Sequence, residues 1–254
     1  ADLTVFHPMD QINHPKAVDL ANSADIVFGV SDYILSEVSN SRPPKHVIDH
    51  GVAPYFVDHQ FPLKTGNTSP QIGYVGNLFI QNLNRDLLRQ LIEQNRGHHF
   101  HFFGAKEPSS SNISAWVNPE STSFVDFLEQ SENVTCHGAV SPRELPEKIQ
   151  HLDAFLVCYL ITKENTISNT HKILEYFCTG KVIISTPVTR YLDSALLEMS
   201  KTPDNNEFLE LYTQVLQNLD EYNQEENQNK RREFALRNSY SGNVDKMEAL
   251  LPLN

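Results

Sequence analysis

At 254 residues, 39% of them hydrophobic, the chain can supply apolar cores for one large or two smaller domains. A formal net charge of -12 leaves no basic footprint, which excludes general nucleic-acid binding while allowing local positive sites. The three cysteines, Cys136, Cys158 and Cys178, are odd in number, sit in apolar segments and lack metal-ligand spacing. They therefore argue against a disulfide framework and suit a reducing cytoplasm. The longest apolar run, residues 154–161, is too short to span a membrane, and no signal peptide is visible.

In chain order, residues 3–6 read as a strand, 16–22 as a short helix and 25–30 as a buried strand. A helix over 32–38 follows, with Ser31 as its cap, then a strand at 46–48. The sequence opens almost directly into the first of these, so the expectation is a later portion of a longer protein. Strands alternating with helices imply parallel βαβ units. Residues 51–69, with Pro54, Pro62 and Gly66, show neither period and read as a connector carrying a domain boundary.

A second alternating series begins at residue 71. It predicts strands at 71–75, 98–103, 134–137, 154–159 and 182–185, and helices at 83–94, 124–130, 142–150 and 170–178. Pro142 is expected at the start of its helix, and 106–121 reads as a polar loop. Residues 207–219, 225–237 and 244–251 form a helical tail. The whole reads as α/β: two Rossmann-like sheets in tandem, the first only partly present, with ligands expected beyond the carboxyl ends of the strands.

The helix at 170–178 carries the densest signal. Ser168, Asn169 and Thr170 have N-cap character and Gly180 follows its end. Unpaired amides and the positive end of the helix dipole make its start an anion site. Lys172 lies in the first turn and Glu175 falls on the same face. A cation for phosphate beside a carboxylate for a sugar diol suits a nucleotide, although a surface Lys–Glu pair has the same spacing. Gly76-Asn77, Phe103-Gly104 and His137-Gly138 end three strands with small-residue turns that would line one crevice. His99 and His101 share a strand face with no third ligand evident, so a half-buried edge strand is expected rather than zinc. No Asp-x-Asp occurs to hold a divalent ion. Charge on a leaving diphosphate would then fall to Lys172, backbone amides and helix dipoles. Asp10, just past the first strand, reads either as a turn aspartate or as a general base.

ADIVFGVSDYI around Asp25, His50-Gly51-Val52, IGYVGN, NVTCHGAVSPRELPEKI, LDAFLVCYL and HKILEYFCTGKVIIST together resemble the group 1 family of GT-B glycosyltransferases. The likeness is to the bacterial surface-polysaccharide branch with a Lys-x-x-Glu donor helix, N-terminally incomplete here. It implies a metal-independent enzyme, without cofactor, moving a sugar from a nucleoside diphosphate, a UDP-sugar, to a hydroxyl of a glycan or lipid-linked acceptor. It implies an acceptor-side domain with linker over 1–65, a nucleotide-sugar domain over 66–238 and a helix over 239–254 packing back on the first. By position, Lys172 would meet the donor phosphates, Glu175 the ribose, and Gly76 and Asn77 the phosphate or sugar. Gly104, His137 and Gly138 would flank the base, Tyr159 and His171 would complete the donor set, and Asp10 would face the acceptor hydroxyl. The implied setting is cytoplasmic, with peripheral association at the inner membrane face. Two departures stand out: Ile167 occupies the place of a second glutamate, and Arg85 is the nearest replacement for the Arg and Lys that relatives carry after the 71–75 strand. The competing readings are a non-catalytic nucleotide-sugar-binding module and a hexosamine-phosphate epimerase of similar architecture.

Overall fold

The computed structural model describes residues 3–10, 12, 14–107, 118–161 and 169–251; Ile167 lies outside them. The first sheet holds β1 (Val5–Phe6), β2 (Ile26–Gly29) and β3 (Lys45–Val47), all parallel in the order β1-β2-β3. Helix α1 (Ala17–Asn22) joins the first two and α2 (Asp32–Ser36) the last two. The Ser31 side chain caps α2 by accepting from the Ile34 amide.

The connector contains a short helix, α3 (Pro54–Val57), which the sequence reading assigned to irregular chain. Pro54 opens it, where a missing N–H costs nothing, and Phe56 is buried beneath it. The second unit then runs β4 (Gln71–Val75), α4 (Arg85–Gln94), β5 (His99–Phe103), α5 (Pro119–Gln130), β6 (Val134–Gly138), α6 (Leu145–Ile149), β7 (Ala154–Val157), α7 (His171–Thr179) and β8 (Val182–Ser185). A 3-10 turn, Thr189–Tyr191, and a two-residue strand β9 (Glu198–Met199) follow; neither was foreseen, being too short to show a period. Helix α5 starts earlier than expected because Asn118 and Ser121 form a reciprocal capping box ahead of Pro119. Helix α6 starts later: Pro146, not Pro142, sits in its first turn. The tail is α8 (Asn205–Gln217), α9 (Leu219–Tyr222), α10 (Glu225–Arg237) and α11 (Tyr240–Leu250), a break at Asn218 dividing what reads as one helix.

The second sheet is parallel throughout, in the order β6-β5-β4-β7-β8-β9. Strand order reverses between β4 and β7, and a crevice opens at the carboxyl ends of such a pair. Alternate residues divide the sheet between two cores. Ile72, Tyr74, Phe100 and Phe102 face one, under α4, α5 and α8; Phe103, Phe155 and Val157 face the other, under α6 and α7. Helix α7 is anchored by Ile173, Leu174, Tyr176 and Phe177, all fully buried and each contributing roughly 1.5–3 kcal/mol. Gly180 ends it in the left-handed conformation, φ 79°.

Helix α11 crosses back to the first sheet, where Met247 and Leu251 cover Ile26, Phe28 and Ile48. Val52 exchanges backbone bonds with the α10–α11 junction, accepting from Tyr240 and donating to Asn238. Gly51 has to be a glycine because the Tyr240 ring lies where a Cβ would stand, 2.1 Å away.

Candidate donor and acceptor site

The switch point between β4 and β7 is where the candidate residues gather. Strand β4 delivers Tyr74 and, one residue beyond its end, Gly76, whose φ of 151° is open to glycine alone. A Cβ there would stand 2.5 Å from Lys172 Nζ and 3.3 Å from the Tyr74 phenol oxygen. The slot left by that missing methyl is therefore edged by two donors. A third is close in sequence: Asn77 Oδ1 accepts from the Phe79 amide, while its Nδ2 is buried without a partner among the described residues. The Tyr74 hydroxyl is likewise buried, with the Lys172 ammonium beside it but no partner at hydrogen-bond geometry among the described residues. Buried polar atoms are nearly always satisfied, so two orphans beside one glycine mark a place for a ligand.

Lys172 enters from the first turn of α7, its ammonium 4.8 Å from the centre of the Tyr74 ring and 5.4 Å from that of Tyr159. No ion pair among the described residues engages it. Burial works against its charge, but the surrounding phenols of Tyr159, Tyr74 and Tyr176 outweigh that and raise its pKa, so it is an ammonium at neutral pH. Burial lifts the Tyr74 phenol to about 12, with Lys172 opposing. The side chain of Thr170 does not cap α7; it lies 3.4 Å from the Tyr159 hydroxyl, leaving the first-turn amides of His171 and Lys172 for another acceptor. Glu175 sits one turn on, its pKa raised to about 7 by burial against the pull of Lys172.

Across the cleft stand the strand ends of the first sheet. Asp10 is exposed, yet close enough to His50 and His171 to favour their charged forms. The His50 and His171 rings are 6.1 Å apart. Burial lowers the pKa of His7 and His50, and burial, Lys172 and His50 lower that of His171. The His171 ring keeps an open face, so water screens part of its shift. His7 and His50 escaped sequence reasoning as site residues, although each directly follows or closely trails a strand of the first sheet.

The remaining candidates are placed differently. Gly104 is small because the Gly76 carbonyl oxygen lies 2.1 Å from where its Cβ would be, a strand-to-strand contact rather than a ligand contact. Gly138 adopts φ 74° facing open space. The His137 ring stacks on Phe103 at 4.1 Å, and its Nε2 pairs with His101 Nδ1 at 3.0 Å. It belongs to a ladder with His99 and His151, held by Gln71 and Thr135. Arg85 does not reach the crevice: it is buried, donating to the carbonyls of Leu78 and Ile80, and so shapes the 78–83 loop. A cavity of about 800 Å³ opens beside 63–70, Asp153 and Lys181 at the opposite ends of the strands and holds none of these residues.

No protein-family model matches the chain, and no curated protein sequence is similar to it. Solved structures do match. Anabaena Alr3699/HepE in complex with UDP and glucose superposes with a TM-score of 0.72 at 15% identity, over 98% of this chain and 71% of that one. A glycosyltransferase from Rickettsia africae gives 0.69 at 14%, over 98% and 69%. A mutant of S. aureus TarM, in complex with fondaparinux, alpha-GlcNAc-glycerol and UDP, gives 0.67 at 14%, over 93% of this chain but 45% of that one. At such identities the likeness establishes architecture alone: the chain has the GT-B fold, two Rossmann-like sheets with their strand ends facing across a cleft.

Proposed function

We propose that the chain is a glycosyltransferase that moves a sugar from a UDP-sugar to a hydroxyl of a glycan or lipid-linked acceptor, in the cytoplasm or at the inner membrane face. The observation that carries this is the slot at Gly76. Lys172 Nζ and the Tyr74 hydroxyl edge it, the neighbouring Asn77 holds a buried Nδ2 without a partner among the described residues, and α7 starts without a side-chain cap. That donor set matches a diphosphate: one buried cation, neutral hydrogen-bond donors and a helix dipole, with no group of three or more metal-ligating side chains among the described residues. The solved complexes of HepE with UDP-glucose and of TarM with UDP support a uridine diphosphate as ligand class.

In this reading Glu175 accepts from the ribose hydroxyls, Lys172 and the α7 amides hold the departing diphosphate, and Asp10 takes the proton of the acceptor hydroxyl. As the C–O bond to the diphosphate breaks, its growing negative charge meets the Lys172 ammonium. Losing one such preorganised donor typically costs on the order of 10²–10³ in rate. The Gly76 slot, Asn77, Tyr159 and His171 belong to the donor, with Gly104, His137 and Gly138 behind it. No metal and no cofactor take part.

A thermal-shift series with UDP, GDP, ADP and CMP, with and without EDTA, tests the assignment. UDP alone should raise the midpoint, by an amount that grows with the logarithm of its concentration over its dissociation constant and regardless of EDTA. A shift with none of the four, or one abolished by EDTA, removes it. Selective UDP binding without transfer or donor hydrolysis would instead favour a nucleotide-sugar-binding module.

A further inference from the structure

The side chain of Asn169 stands two residues before α7, and every one of its hydrogen-bonding groups is spent on the cleft. Its carbonyl accepts from the Thr170 amide at 2.8 Å. Its amide group reaches across to the first sheet, donating to the Val30 carbonyl at 3.0 Å and to Asp49 Oδ1 at 2.8 Å. Asp49 is buried and takes further partners from the adjoining residue and from two other segments. Its own neighbour His50 donates a backbone N–H to Oδ1, Arg190 Nε donates to Oδ2 at 3.0 Å, and Asn243 of α11 donates to its main-chain oxygen at 2.9 Å. Val30 and Asp49 lie just past the ends of β2 and β3, Asn169 at the end of the β7–α7 connection, and Arg190 beyond β8.

One carboxylate thus pins both halves of the cleft at the level where they meet. The residues it fixes adjoin the candidate chemistry: Asn169 precedes Lys172 by three positions, and His50, which follows Asp49, has its ring 6.1 Å from that of His171. We infer that Asp49 and Asn169 are positioning residues, a cross-cleft pair that sets the distance between acceptor-side groups and the donor helix. The inference rests on the glycosyltransferase reading for its consequence, and on the hydrogen bonds alone for its geometry. Group transfer needs the reacting atoms within about 3–3.5 Å, and a shift of about 1 Å costs on the order of 100-fold in rate. A pair acting this way governs turnover, not nucleotide affinity, because it touches neither phosphate nor base.

The test uses the whole chain and two variants. Asp49→Ala removes the acceptor for both Asn169 and Arg190; Asp49→Asn keeps the shape and one carbonyl oxygen but removes the charge that Arg190 meets. Two readouts are taken: UDP affinity with UDP-sugar turnover, and the distance distribution between spin labels at Leu20→Cys in α1 and Glu233→Cys in α10, in a Cys136→Ser background. Asp49→Ala should lower kcat about 10- to 100-fold with UDP affinity within about threefold of the parent, and should broaden the label distance; Asp49→Asn should fall between. Parallel loss of affinity and turnover would make Asp49 a folding residue and overturn the inference, as would an unchanged label distance. Absence of UDP binding by the parent chain would sink the transferase reading alone, leaving the distance measurement to decide the pair.

Discussion

Replacing Lys172 by methionine isolates the charge, because methionine keeps most of the stem that packs over Tyr74 and Tyr159. A hydrogen bond to a charged group contributes roughly 1.5–3 kcal/mol net. The ammonium is buried, with no carboxylate among its ion-pair partners in the described residues, so its charge is neither screened by water nor already neutralised. Lys172→Met should therefore weaken UDP about 10- to 100-fold, the affinity ratio that this range of energies spans. Uridine, which lacks the diphosphate, should bind parent and variant alike. Calorimetric titration of both ligands into both proteins gives the four constants needed. Equal losses for UDP and uridine would mean that the substitution deforms the pocket, and unchanged UDP affinity would mean that the diphosphate lies elsewhere.

Gly76→Ala should be harsher. The methyl would meet Lys172 Nζ at 2.5 Å in a backbone conformation closed to alanine, so UDP binding should drop at least tenfold. Strain of about 1–3 kcal/mol should also lower the melting temperature by roughly 2–12 °C in a chain of this size. Glu175, with a pKa near 7, predicts that UDP affinity rises between pH 6 and 8 as the carboxylate ionises and can accept from the ribose. The Glu175→Gln variant should show a flat profile over that range. The histidine ladder gives a stability signature. Burial lowers the pKa of His99, His137 and His151, and that of His101 to about 3, so the unfolded chain binds more protons below pH 6.5 than the folded one. Stability contributed by the neutral ladder is present above that value and is lost as pH falls from about 6.5 toward 3. Urea titrations at pH 7 and pH 5 should differ by less in His101→Gln than in the parent.

Hydrophobic period carried the architecture in the places where it was strong. The strands Gln71–Val75 and Val182–Ser185 stand as their sequence patterns predict. Helix α7 is displaced by a single residue, because Gly180 announces its end. Period fails for β9, a bare Glu–Met pair, and for α3, a single turn inside proline-containing connector chain. The site was legible where one segment held the evidence: Lys172 and Glu175 share a helix face, and Gly76 closes a strand. It was illegible where the chemistry depends on tertiary contact. Tyr74 reads as one more apolar strand residue; only the fold shows its hydroxyl emerging beside Gly76 and the Lys172 ammonium. Asn169 reads as a cap, whereas it bonds to Asp49 at a separation of 120 residues. Gly104 shows the converse: a glycine at a strand end suggests a ligand, but here it makes room for the neighbouring strand's backbone.

The return of α11 to the first sheet makes the order of synthesis matter. The side chains that shield Ile26, Phe28 and Ile48, those of Met247 and Leu251, lie about 200 residues further along the chain. At ribosomal rates of about 5–20 residues per second, that face stays uncovered for on the order of 10–40 s. A nascent chain in that interval shows a greasy, short-stranded surface to its surroundings, so the first sheet is sealed only once α11 has been made and until then is the face most in need of a chaperone.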